Sequence, residues 1–170
     1  GNSKFFDAME RYVDHIITKF GREEGKMRGY PGHQEIELAL VKAYEHTNDK
    51  KFLDLATYFI DERGTHTSSE DHYYVKEKKK LYEKEGDIDM SKLPSNMRDF
   101  MAFDADFMGK TFRDLHYWQA HERPVDQKTA EGHSVRALYM FTAMADLARL
   151  NNDSKLLNAC KTLWRNIVDK

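Results

Sequence analysis

Two of the eight histidines, His33 and His133, each follow a glycine directly and each open a strongly apolar stretch, 100 residues apart. An imidazole donates or accepts hydrogen bonds, moves protons near neutral pH or binds a metal. At the start of a helix it sits at the end of a rod, where a polar ligand is within reach. The histidine spacing argues against a metal site. There is no His-Glu-x-x-His, and no histidine stands three residues after a glutamate as in di-iron bundles.

A second group of polar and aromatic residues lies just before His133. The stretch Tyr117-Trp118-Gln119-Ala120-His121-Glu122-Arg123-Pro124-Val125-Asp126-Gln127 holds two aromatics, two amides and an imidazole. Sugar sites use such materials, with flat apolar faces for the C–H side of a ring and fixed polar groups for its hydroxyls. The plainer alternative is a polar loop that covers the core, with His33 and His133 acting only as helix caps. Asp104 and Asp106 alternate with Phe103 and Phe107, and they read as a partly exposed loop rather than the carboxylate pair of a glycosidase. Cys160 is the only cysteine, which excludes an internal disulfide and a cysteine-rich zinc site within this chain. Its neighbours Leu156, Leu157, Ala159 and Leu163 suggest a small residue packed on a helix face.

The elements that must carry these residues are helical. From Lys4 to Phe20 the apolar residues Phe5, Met9, Tyr12, Ile16 and Phe20 form one stripe, and Gly21 supplies a stop. Tyr30-Pro31-Gly32 then makes a turn. A helix over about Gln34 to His46 turns at Asn48-Asp49 into another over about Lys50 to Glu62, with Gly64 beyond its end. The same plan recurs with a helix over about Lys128 to Arg149, a turn at Asn151 to Asp153 and a return over Ser154 to Val168. The fold class is therefore all-α, built of repeated αα-hairpins. The chain reads as a single helical segment, residues 1–170, with an irregular insertion at about 65–113. A charged helix from about Glu70 to Lys84 lies inside that insertion.

Composition narrows the function. The 27 basic and 29 acidic residues give a net charge of -2, which supplies no field for gathering phosphates, so no nucleic acid is expected. No stretch approaches the roughly 20 apolar residues that span a bilayer, so no membrane partner is expected. The compartment stays open, because Gly1-Asn2-Ser3 enters a helix at once and a targeting sequence could lie upstream.

Two long segments resemble glycoside hydrolase family 127, typified by β-L-arabinofuranosidases. One runs from Gly29-Tyr30-Pro31-Gly32-His33-Gln34-Glu35 to Tyr58-Phe59-Ile60-Asp61-Glu62-Arg63-Gly64. The other runs from Gln119-Ala120-His121 and Pro124-Val125 to Gly132-His133-Ser134-Val135-Arg136-Ala137-Leu138-Tyr139 and Met144-Ala145-Asp146-Leu147-Ala148. The resemblance implies that the hairpins are part of a larger (α/α)6 barrel, with a carbohydrate substrate at one end of its inner ring. The remainder of the barrel would then be a partner of this segment. It also implies a retaining reaction with a cysteine nucleophile, a glutamate acid/base and a zinc ion held by cysteines and a glutamate. Those motifs would lie beyond Lys170, so zinc is expected in the full-length family enzyme and none is expected to be bound by this chain alone. Cys160 matches none of them. The Gly-His histidines are similar to family positions that hydrogen-bond arabinofuranose hydroxyls. His33 and His133 are thus the expected substrate contacts, and Gln119 and His121 are expected to support them. The rival expectation is a helical-hairpin scaffold that binds another protein without catalysis.

Overall fold

The computed structural model describes residues 3–66 and 114–169, together with 76, 91 and 94–96. The Glu70 to Lys84 helix, Asp104 and Asp106 lie outside the described residues, as does most of the insertion at 65–113. Five helices are described: α1 (Lys4–Lys19), α2 (Glu35–Thr47), α3 (Lys50–Glu62), α4 (Ser134–Leu150) and α5 (Ser154–Val168). Among the described residues the β pairing is one bridge, Phe20 to Met27, which closes the link after α1.

The repeated turn sequence has a local cause. Asn48 and Asn152 both adopt left-handed backbone, with φ of 59° and 52°, a conformation that asparagine tolerates better than most residues. The next residue caps the returning helix in both copies. Asp49 accepts from the Lys51 amide at 3.0 Å, and Asp153 accepts from Lys155 and Leu156 at 2.9 and 3.0 Å. The two hairpins differ in length, since α2 has 13 residues and α4 has 17. The extra four residues amount to about one turn of helix.

The first helices of the two hairpins pack side by side. α2 lies against both α3 and α4, α3 also touches α4, and α5 lies on α4. Leu40, Val41, Phe52, Ala56, Met140, Met144, Leu147 and Leu163 are fully buried between them. Each large side chain among these contributes roughly 1.5–3 kcal/mol by leaving water. α1 joins through one narrow side, with Val13 and Ile16 buried and Phe6 against the rings of Phe52 and His46 at 6.2 and 5.9 Å. The expected stripe is therefore only partly covered, because Phe5 and Tyr12 are 85% and 61% exposed.

α4 departs from its expected start. It begins at Ser134, and residues 128–133 are non-helical although their sequence suits a helix. Gly132 has a φ of 77°, and the Gln119 side chain donates to the carbonyls of Glu131 and His133. Those contacts fix the backbone outside the helix and override local propensity. The end of α3 agrees with expectation, since Gly64 follows it with a φ of 71°. A Cβ there would fall 2.1 Å from the Glu122 carbonyl oxygen, so glycine is also needed for the close approach of the second loop.

At the centre lies a charge. Arg63 is fully buried, donating to the Trp118 carbonyl at 2.9 Å and to the Pro31 carbonyl at 2.6 Å, with its guanidinium carbon 4.3 Å from the centre of the Tyr30 ring. Its Nη2 lies 3.8 Å from the carboxylate of Glu37, which is also fully buried. Burial pushes the Glu37 carboxyl up to about 7, against the pull of Arg63. Replacing Arg63 with leucine strands that carboxylate and two carbonyls. Urea denaturation of Arg63→Leu at pH 8 is expected to show a loss of about 3–5 kcal/mol. The raised carboxyl also predicts a pH effect. The folded chain holds a proton that the unfolded chain has released, so stability falls as pH rises from 4.5 to about 7. Glu37→Gln should flatten that fall, which amounts to at most about 3 kcal/mol.

Candidate functional site

The loop before α4 is shaped by buried amides. Gln119, itself in left-handed backbone at φ 53°, donates from Nε2 to the carbonyls of Tyr117, Glu131 and His133 at 3.1, 2.9 and 3.3 Å. Its Oε1 accepts from Gln34 at 2.8 Å, and Gln34 stands just before α2, its side chain turned to this loop rather than to the helix end. Gln127 donates to the Gln119 and Glu122 carbonyls, both at 2.9 Å. Gln34, Gln119 and Gln127 are all buried, and together they tie the heads of the two hairpins. Each unmade bond of this kind would cost about 1–3 kcal/mol, so the loop has little conformational choice. Gln119 thus holds backbone in place from beneath the surface.

That loop brings the two Gly-His histidines to one place. The Arg136 guanidinium, in the first turn of α4, donates from Nη2 to His33 Nε2 at 2.9 Å. Because a guanidinium only donates, His33 must accept at Nε2 and carry its hydrogen on Nδ1, which faces Glu35 at 3.7 Å. The guanidinium carbon lies 4.2 Å from the centre of the Trp118 ring and 4.9 Å from that of Tyr117. Tyr117 in turn meets His133 edge to face at 5.5 Å. His33, Arg136, Tyr117 and His133 therefore form one continuous set of contacts between the starts of α2 and α4. His33 is exposed and His133 is half-buried, so neither is lost in apolar packing. The His133 Nδ1 atom is covered and has no hydrogen-bond partner among the described residues.

The aromatics of the loop differ from expectation. Trp118 is buried, and Trp118 and Tyr117 each offer a ring face to the Arg136 guanidinium, a use that attracts cations through the ring quadrupole. Arg136 was not among the expected site residues. Its signal in the sequence is its place three residues after His133, one turn into the helix.

His121 goes elsewhere. Its ring stacks on His116 at 4.2 Å and 7°, and His116 Nδ1 pairs with Glu131. None of the described contacts joins it to His33 or His133. Burial, then the neighbouring His116, hold His121 below the usual imidazole value.

A comparison of the sequence and fold with known proteins decides the family. The catalytic domain described as β-L-arabinofuranosidase of glycoside hydrolase family 127 matches residues 1–170. The chain belongs to that family. Over all of its length it is 36% identical to a non-reducing end β-L-arabinofuranosidase of Bifidobacterium longum subsp. longum, covering 22% of that protein. Among solved structures it resembles a family 127 β-L-arabinofuranosidase from Geobacillus stearothermophilus T6, with 41% identity and a TM-score of 0.73. That match covers 99% of this chain and 22% of the other. A second family 127 β-arabinofuranosidase structure matches at 32% identity and a TM-score of 0.69, covering 99% of this chain and 19% of the other. The chain thus spans about a fifth of the length of these relatives, and its hairpins are part of an (α/α)6 barrel.

The zinc that the resemblance implied finds no thiolate set here. Cys160 is the one cysteine in the sequence, it is half-buried, and burial pushes its thiol up to about 11. A single cysteine cannot supply the several thiolates that the resemblance implies for that zinc.

The geometry at Gly132 is testable on its own. A Cβ at this position would fall 2.0 Å from the His116 carbonyl oxygen and 2.6 Å from Gln119 Nε2. Gly25 also has positive φ, at 84°, but has open space around it. Gly25→Ala is expected to cost about 1 kcal/mol of backbone strain, and Gly132→Ala clearly more, as measured by urea denaturation of both variants.

Proposed function

We propose that this chain forms part of the carbohydrate-binding wall of a retaining glycosidase acting on β-L-arabinofuranosides or similar plant-type glycans. The observation that supports the reading is the chain of contacts from His33 through Arg136 and Tyr117 to His133, between the starts of two adjacent helices. A furanose ring presents hydroxyls, and the ring nitrogens of two imidazoles can hydrogen-bond them. Arg136 acts as a positioning residue, since its hydrogen bond sets the tautomer and orientation of His33. Gln119 supports the same surface from behind through the carbonyls of Tyr117 and His133. His121 supports it only through the loop, by its stack on His116. The family membership and the activity of these relatives make an arabinofuranoside the ligand to try first.

In this proposal the nucleophile and the acid/base belong to other parts of the polypeptide, because Cys160 matches none of the motifs that the resemblance implies for them. The remainder of the barrel has a place to dock. On the side of α4 away from α2, Leu138, Phe141 and Ala145 face Cys160, Trp164 and Ile167 of α5 across a cleft of about 400 Å³. Trp164 is 65% exposed there, and a further helix pair packed on it would continue the ring.

The test is an L-arabinose titration of the polypeptide that carries this chain, followed through the His33 and His133 ring resonances. Both should shift together at millimolar sugar, and Arg136→Gln should weaken binding roughly ten- to hundred-fold by freeing His33. Unmoved resonances at saturating sugar would favour the protein-binding scaffold instead.

A further inference from the structure

We propose that His116, His121 and Glu131 form a binding site for a divalent transition-metal cation of the zinc type. One donor atom from each of the three lies within 4.8 Å of the other two. His116 Nδ1 already contacts Glu131 Oε2, so a proton now holds the pair together where a cation would replace it. The two rings stack nearly parallel at 4.2 Å, so their in-plane lone pairs converge on one ion once one ring turns about its side-chain torsions. His121 Nδ1 is covered and lacks a hydrogen-bond partner among the described residues.

The surroundings fix the donors as the outer partners of a metal site do. Thr129 Oγ1 donates to Glu131 Oε1 at 2.5 Å, leaving Oε2 for the cluster. The backbone of His116 is held at both ends, its amide by Asp114 at 3.0 Å and its carbonyl by the Gln119 amide at 3.0 Å. The cluster opens into a hollow of about 480 Å³ that Glu122, Asp126 and Lys128 also line. Two carboxylates there favour a cation and one ammonium opposes it.

Two imidazoles and one carboxylate are a borderline donor set. It suits zinc, which takes three protein ligands and keeps a fourth position for water, whereas calcium and magnesium need more oxygens. Closing from the present spread to the roughly 3.3 Å between ligands of a tetrahedral ion takes rotation of the three side chains, with the backbone left in place. The protonation states also fit. The Thr129 hydrogen bond, then His116, hold Glu131 below the usual carboxylate value, and His121 is held below the usual imidazole value. Both are in ligating form at neutral pH.

This site is separate from the thiolate-rich zinc that the family resemblance implied, since it contains no cysteine and is built wholly from the loop between residues 114 and 133. A cation there would clamp the segment around His116 to Glu131, two residues before His133. The effect would be a rigid approach to the helix start.

Calorimetric titration of Zn2+ into the chelator-treated polypeptide tests the proposal, comparing the parent with His121→Ala and Glu131→Gln. The parent should take up one equivalent more than either variant, or bind that equivalent at least about 100-fold more tightly. Zn2+ should also raise the parent's Tm by more than it raises that of Glu131→Gln. Glu131→Gln keeps the shape of an exposed side chain, so it decides the matter if His121→Ala folds poorly. Equal uptake and affinity in all three proteins, or no uptake by the parent at 1 mM Zn2+, would overturn it.

Discussion

The buried guanidinium of Arg63 is the constraint on which the arrangement rests. A charge taken out of water costs several kcal/mol unless its hydrogens are matched. Here the matching groups come from three separate places: the Pro31 carbonyl before α2, Glu37 within α2, and the Trp118 carbonyl in the loop before α4. Satisfying one residue at the end of α3 therefore fixes where the two entry loops lie relative to each other. Apolar packing between α2 and α4 would tolerate some sliding, because burial energy depends on area rather than direction. Hydrogen bonds to Arg63 do not tolerate it.

From that anchor the positions of the candidate site residues follow. Trp118 is held by Arg63 through its carbonyl, and its ring then carries Arg136. Arg136 reaches back across the hairpins to His33. The Gln119 amide sets the backbone on either side of Gly132 and so sets His133. Strain at the left-handed Gln119 is retained because the surrounding bonds over-determine the loop, while Gly132 adopts its positive φ freely. Such strain is commonly found where a side chain must be aimed.

The remaining surfaces divide in two. One side of the hairpin pair carries Leu138, Trp164 and Ile167, apolar and open, as expected of a segment that spans about a fifth of its relatives' length. At the loop end the surface is polar, with His116, His121 and Glu131 gathered apart from His33 and His133. The open apolar face and the polar cluster thus belong to different parts of the same two hairpins.

The sequence by itself determined the hairpins, their turns and the placing of His33 and His133 at helix starts. These depend on residues within a few positions of one another: Asn48 and Asn152 in left-handed backbone, Asp49 and Asp153 as caps, and apolar residues at helical spacing. The two long motifs also determined the family. Only the tertiary structure decided that α4 starts at Ser134, that Gln119 and Trp118 are buried, that Arg136 and Tyr117 link His33 to His133, and that His121 turns to His116 and Glu131. Each of those depends on a hydrogen bond, ring contact or ion pair between residues brought together by loop closure. Such contacts have no period along the chain, so nothing in local spacing announces them.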